Sequence, residues 1–356
     1  MLISTLITVV TFLVVLAVLI IAHELGHFTT AKAFGVRVDE FGLGFPPRLL
    51  SVKLGETRYS LNAAPLGGFI KMAGEEDPKV TRSLASKRAS VRILILSAGS
   101  LMNALLPLLL FSIAFIVPHS LVIGQVSVAE IAPNSPAARA GIEAGDIIVS
   151  VNGNPVRNIS DLHRYIQLNL GKETSILVKR SDSTTEDIQL IPRWKPPPEQ
   201  GAVGVAITMP NPTIVTQSEP FWRAIPLGVK ELIETFVLFK NGILSLFIGT
   251  ETLQVTGPVG IAQITGEVAK AGINPLLRFA AFLSINLAII NLFPLPALDG
   301  GRIVFVLLEW VRRGKRIAPK TEGLIHAIGF TLLVAAILVI TYQAIIHIVN
   351  GESLIP

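Results

Sequence analysis

The sequence predicts a polytopic α-helical membrane protein: four transmembrane helices, a small membrane-associated β-sheet and one inserted α+β domain. Three observations carry this. Hydrophobic residues make up 51% of the 356 positions and charged residues 15%, whereas soluble domains average roughly 25% charged. Four apolar stretches are long enough to cross a bilayer, at about 5–24, 91–117, 276–308 and 324–348, the third interrupted by Asn291, Pro294, Pro296 and Asp299. Between the second and third lies a block, 121–193, of soluble composition.

The first stretch carries no charge from Leu6 to Ala22. It has no basic n-region and no small-residue cleavage site, so it reads as a retained span rather than a signal peptide. His23-Glu24-Leu25-Gly26-His27 follows directly. Residues four apart share a helix face, so His23 and His27 can offer two imidazoles to one metal ion. Glu24 stands where a carboxylate can take a proton from a metal-activated water without being a ligand. Ionisable groups at membrane depth are costly and mark a functional site there.

From Gly35 to Arg48 the residues alternate and then reach the Gly-Phe-Pro-Pro punctuation of a turn. Two more strand-like pieces, 57–61 and 68–72, flank Pro65-Leu66-Gly67-Gly68. They predict a small sheet beside the metal helix, and an unpaired strand edge there could hold an extended peptide by main-chain hydrogen bonds. The charged run from Glu75-Glu76-Asp77 to Arg88 reads as a mobile loop.

The soluble block reads as strand 122–126, a short helix 137–141 and strand 145–153 closed by an Asn152-Gly153 hairpin signal. A helix over 161–170 and a strand over 175–180 follow. This order, with the run SPAARAGIEAGDIIVSVNG, resembles a PDZ domain over 121–193. Such domains take an added peptide strand in a groove between a strand and a helix, so substrate tails are possible partners. Proline-rich 194–200 reads as a stiff exit. Residues 220–248 read as an amphipathic helix on the outer membrane surface, since Lys230, Glu231, Glu234 and Lys240 argue against a fifth span. The expected divisions are 1–118, 119–200, 201–275 and 276–356.

Basic residues crowd the connection between spans one and two, from Lys32 to Arg92, and that between spans three and four, from Arg312 to Lys320. Both should be cytoplasmic by the positive-inside rule, with both termini and the inserted domain outside the inner membrane. The basic balance thus reports topology and calls for no nucleic-acid partner. The chain has no cysteine, so thiolates are excluded as metal ligands.

Two imidazoles leave a catalytic zinc site one protein ligand short. Asp299, an acid in the third apolar stretch just beyond Pro294 and Pro296, is the best candidate; His326 in the fourth stretch is a rival. Here the sequence resembles the site-2 protease family of intramembrane zinc metalloproteases, in its bacterial form with one PDZ domain, of the sigma-factor-regulating type. The resemblance rests on HELGH at 23–27, FGLGFPPRL at 41–49, PLGGFIKM at 65–72, TGPVGIA at 256–262 and NLFPLPALDGGR at 291–302. It implies Zn2+ held by His23, His27 and Asp299, with Glu24 as the catalytic base. It also implies substrate contacts from Gly68, Phe69, Ile70, Lys71, Met72 and Asn291, with Asn286 a weaker correspondence. The expected activity is cleavage, within the lipid bilayer, of single-span membrane proteins such as anti-sigma factors or signal-peptide remnants after a first cut elsewhere. Two other readings use the same residues: a metal transporter, which would show paired interruptions in its two halves, and a PDZ-bearing scaffold with a dead site.

Overall fold

The structure is a computed structural model that describes residues 2–75, 77–250 and 257–349. It divides into two compact units, Met1–Ala114 with Val255–Pro356, and Phe115–Gln254.

Among its described residues the first unit holds four helices long and apolar enough to cross a membrane: Thr5–Ala33, Ala89–Ile116, Ile273–Leu292 and Lys320–Ile346. Helix α1 (Leu2–Ala33) runs without a break through the His23–His27 motif. At 1.5 Å per residue its 32 residues exceed a hydrocarbon core of about 30 Å. The motif therefore belongs to the continuing helix rather than to its end. Helix α2 (Ala89–Ile116) crosses α1 closely at small residues: a Cβ at Gly26 would stand 2.3 Å from the Ala98 carbonyl oxygen.

The sheet of this unit comprises β1 (Val38–Leu54) and β2 (Thr57–Met72). Both strands double back. Residues 40–43 face 71–68 on one side and 58–61 on the other, while 50–54 pair with 61–57. The strand expected after Gly35 is present and pairs over 38–43, the expected pieces at 57–61 and 68–72 are present, and 48–54 is an additional segment on the far edge. The opposite edge is 68–72. The connection that follows is not the expected loose loop, and Glu76 lies outside the described residues. Ala73 N–H donates to Arg37 O (2.8 Å), Leu84 N–H to Ala73 O (3.0 Å) and Ala85 N–H to Gly74 O (3.1 Å). Ser83, Leu84 and Ala85 are buried. Leu84 joins Ala31, Val38, Met72, Ile95 and Val306 in one core, which binds α1, the sheet, the connection, α2 and α8 (Asp299–Val311) together.

Residues 258–271, expected to be linker, form α6 (Pro258–Ala271), which packs on α1 so tightly that a Cβ at Gly266 would meet Thr8. Thr256, the first residue of the 256–262 motif, lies outside the described residues. The third apolar stretch is interrupted where Asn291, Pro294, Pro296 and Asp299 fall, as its sequence predicts. Helix α7 (Ile273–Leu292) stops at Phe293, and α8 begins only at Asp299 after the proline-containing loop. Helix α9 (Pro319–Val349) completes the unit.

In the second unit the expected strand 122–126 is two strands of different sheets. Strand β3 (His119–Ile123) pairs with β10 (Thr213–Gln217), and β4 (Val126–Ile131) enters a sheet of order β8-β7-β5-β4-β9. Its other members are β5 (Ile147–Val151), β7 (Thr174–Lys179), β8 (Thr185–Leu190) and β9 (Val205–Thr208), with β6 (Asn154–Pro155) paired to β5. The proline-rich 194–200 is thus a connection inside this sheet rather than an exit, since β9 lies past residue 200 and pairs with β4. Helix α3 (Pro136–Ala140) is capped by Ser135, whose hydroxyl accepts from Ala138 N–H, and α4 (Ile159–Leu168) by Asn158, which accepts from Asp161 N–H. Val126, Val151, Ile176 and Val178 lie at the centre of the core.

Helix α5 (Phe221–Ile248) turns one face to α4. Arg164 bonds Glu231 (2.6 Å) and Glu234 (2.9 Å), and Asn241 donates to Gln167 O (2.7 Å). Burial opposes the Arg164 charge, but the two carboxylates hold its pKa above the ordinary value. Trp222, Ile225, Val229 and Ile233 are exposed along the helix.

Ile176 is 1% exposed, so Ile176→Ala should destabilise this unit by about 2–5 kcal/mol. Hydrogen exchange of β7 in the full-length protein checks it. Exchange at the parent rate would show that Ile176 is not part of the stabilising core.

Candidate metal centre

The centre joins two distant parts of the chain. Helix α1 presents His23 and His27 one turn apart, and α8 presents Asp299 from its first residue. At a helix N-terminus a carboxylate is favoured in its charged form. Asp299 Oδ2 lies 3.1 Å from His23 Nε2 and 3.1 Å from His27 Nε2, and the two Nε2 atoms are 3.2 Å apart. These three residues form the group that can hold a metal ion, with ligand atoms all within 4.8 Å of one another.

The surroundings fix this convergence. His27 Nδ1 is 2.8 Å from Ile95 O, so its N–H donates there and its Nε2 lone pair is left for a metal. A Cβ at Gly99 would stand 2.3 Å from His27 Nε2, so only glycine admits the ring. Gly300 does the same for the loop, because its Cβ would meet the carbonyl oxygens of Leu292 and Phe293. The chain can therefore fold back over the first turn of α8 and set Asp299 in place.

A cleft of 420 Å³ opens on these residues. Glu24 lines it, as do Gly68, Phe69, Ile70 and Met72 of the sheet edge, and Asn291. Gly68 lies flush on α1, since a Cβ there would meet Ile20 and Glu24 side-chain carbons. Lys71 is exposed and does not line the cleft. Asn286 donates to Phe282 O (2.9 Å), is half-buried and does not line the cleft. His326 stands apart from the cluster. Its Nδ1 accepts the Ala297 N–H (3.0 Å), which ties α9 to the loop before Asp299.

Sequence reasoning missed Gly99, Asn103 and Arg302. Asn103 is 1% exposed and lines the cleft. Arg302 lines it too and pairs with Glu75 (2.9 Å), whose other oxygen accepts the Met72 N–H at the end of the sheet edge (3.1 Å). The Gly99-x-x-x-Asn103 spacing, a small and a polar residue on one face of an apolar helix, was the available signal.

The sequence pattern of Peptidase family M50 matches residues 11–336. The chain belongs to this family, the site-2 proteases. A relative from Clostridium perfringens, whose name assigns it provisionally to the zinc metalloproteases, is 37% identical over 345 residues, 94% of this chain and 97% of its own. Zinc metalloprotease RasP of Oceanobacillus iheyensis is 28% identical, over 95% of this chain and 98% of its own. Regulator of sigma-W protease RasP of Bacillus subtilis is likewise 28% identical, over 95% and 98%. A solved HtrA3 PDZ domain aligns with 28% of this chain and 93% of its own at 23% identity, but its TM-score of 0.16 is too low to establish a fold. The protein is a multi-pass membrane zinc metalloprotease. Its donor set suits the metal: two imidazoles and one carboxylate leave the fourth position of a catalytic zinc open.

Gly99→Ala should displace the His27 ring and leave the purified protein substoichiometric in zinc. Elemental analysis of detergent-solubilised protein checks this. Full zinc occupancy would mean that α2 yields without disturbing the ligands.

Proposed function

We propose that the protein performs regulated intramembrane proteolysis, cutting the membrane segments of single-span proteins already trimmed by a first protease. The observation that supports this most is the meeting of a three-ligand centre with an unpaired strand edge in one cleft. A transmembrane helix satisfies its own backbone groups and must unwind to expose a scissile bond. An unwound segment could lie along 68–72 as an added strand, its main chain bonded to the edge and its carbonyl brought toward His23, His27 and Asp299.

In this reading His23, His27 and Asp299 hold the zinc. When bound, it polarises the scissile carbonyl and lets a water give up its proton near neutral pH. Glu24 takes that proton and returns it to the leaving amine. Asn291, across the cleft from the strand edge, positions the peptide. His326 has no ligand role, its Nδ1 being committed to Ala297.

The inserted unit is read as a PDZ domain lying outside the inner membrane, with both termini, on the strength of the charge bias. A second cleft of 200 Å³ supports peptide binding there: α4 gives Leu162 and Ile166, and the edge strand β9 gives Val205 and Ile207. The domain selects substrates by their outer portion, excluding bulky ones, and takes no part in bond cleavage. The broken third stretch has no counterpart break in the first two spans, which tells against a transporter.

Glu24→Gln should retain zinc and lose hydrolysis by at least about 100-fold, because an amide cannot accept the water's proton. Metal analysis beside a cleavage assay on a reconstituted single-span substrate tests this, and substantial turnover would remove Glu24 as the base. Asp299→Asn should lower zinc occupancy, since the amide supplies no charge to the metal. Zinc equal to the parent's would point to a different third ligand.

A further inference from the structure

We infer that Asn103 is a positioning residue for His23, presenting its carboxamide oxygen to the ring N–H that zinc binding leaves on the far side of the imidazole. The inference rests on the reading of His23, His27 and Asp299 as the zinc site, and it concerns how one of those ligands is held.

The two histidines raise the same chemical question. A neutral imidazole that gives the lone pair of Nε2 to a metal carries its proton on Nδ1, and that proton needs an acceptor. His27 has one, the Ile95 carbonyl at 2.8 Å. At His23 Nδ1 the facing group is the Asn103 carboxamide, 3.5 Å away and presenting its nitrogen. The Asn103 Oδ1 is buried without a hydrogen-bond partner among the described residues.

That arrangement suits the histidine without its metal. Nε2–H then donates to Asp299 Oδ2, and Nδ1 has a lone pair for the Asn103 N–H. Metal binding reverses both ends of the ring. Nε2 becomes the lone-pair end and Nδ1 the donor, which sets an N–H against the amide N–H. A half-turn of the carboxamide exchanges its oxygen and nitrogen in nearly the same volume. Oδ1 then accepts from Nδ1–H, and the buried acceptor gains the partner it lacks.

The backbone beneath is fixed for this task. The Asn103 carbonyl accepts the Ser284 hydroxyl of α7 at 2.7 Å, and Gly99 one turn earlier lets both imidazoles approach α2. The Cα of Asn103 is therefore held in place, and its carboxamide can answer the ring only by turning about its own bonds. A carboxamide serves both states of the ring, an aliphatic side chain serves neither, and a carboxylate serves the metal-loaded state alone.

The test is a chelator competition on the purified full-length protein, comparing the parent with Asn103→Leu and Asn103→Asp. Loss of an outer hydrogen-bond partner typically weakens metal affinity by about 10–100-fold, and Asn103→Leu should show a loss of this size. Asn103→Asp should keep zinc within a few fold of the parent or hold it more tightly. A residue that only filled space would give the opposite order, because the buried carboxylate would disturb the helix packing more than leucine does. The inference is overturned if Asn103→Leu keeps the parent's affinity, or if Asn103→Asp loses as much as Asn103→Leu. A parent that binds no zinc would overturn the zinc reading as well, whereas a zinc-loaded parent with an unmoved leucine variant overturns only the role of Asn103.

Discussion

Three electron-rich atoms, two imidazole nitrogens and a carboxylate oxygen, stand within 3.1–3.2 Å of one another in a mostly apolar surround. Such a cluster is stable only with a cation or shared protons between its members, since burying unpaired charge costs far more than it returns. The rest of the first unit can be understood as the framework that keeps these atoms together. His27 and Asp299 are 272 residues apart in the chain, so no local propensity can join them. The shared core of Ala31, Met72, Leu84, Ile95 and Val306 does so, by locking α1, α2, α8 and the sheet to one another.

Close packing at small residues makes this framework possible. Gly26 and Gly99 let α2 lie against the motif face of α1, and Gly300 lets the proline loop fold onto α8. Among membrane helices, where lipid is as apolar as any side chain, small residues at contacts supply the association that hydrophobic burial cannot. The sheet edge meets α1 through Gly68 in the same way. At the opposite end of the cleft, Arg302 bonded to Glu75 ties α8 to the connection beyond that edge. The candidate metal ligands, the proposed proton acceptor Glu24 and the candidate peptide edge are thus carried by one packed body. On this basis, binding an unwound segment need not assemble the centre.

The legible part of this design was the part written locally. His23 and His27 are four residues apart on one helix, and that spacing can be read without a structure. Asp299 stood out as an acid in an apolar run and His326 was its lesser rival; the structure sets Asp299 beside the two histidines and leaves His326 outside that group, bonded to Ala297. Asn103 was legible only as a polar residue one turn after Gly99 in an apolar helix, which gives no hint of the ring it faces. The strand segment 48–54 was missed because Leu49, Leu50, Val52 and Leu54 are exposed and follow Pro46-Pro47, so neither burial nor alternation marks them. Strand β9 was missed because it pairs across the chain after a proline-rich passage that looks like an exit. Gly124 hid the break between β3 and β4, since a single glycine in a strand-like run more often signals a bulge than a change of sheet.

The proposed centre holds zinc through two imidazoles and one carboxylate and leaves a position open. X-ray absorption at the zinc edge of the purified protein reads that shell out. One zinc per chain is expected in a nitrogen and oxygen shell at about 2.0–2.2 Å, with the outer-shell signature of two imidazoles that is lost when His23 and His27 are replaced. Stoichiometric zinc whose spectrum shows no imidazole pair, or shows one that survives replacement of both histidines, would contradict it.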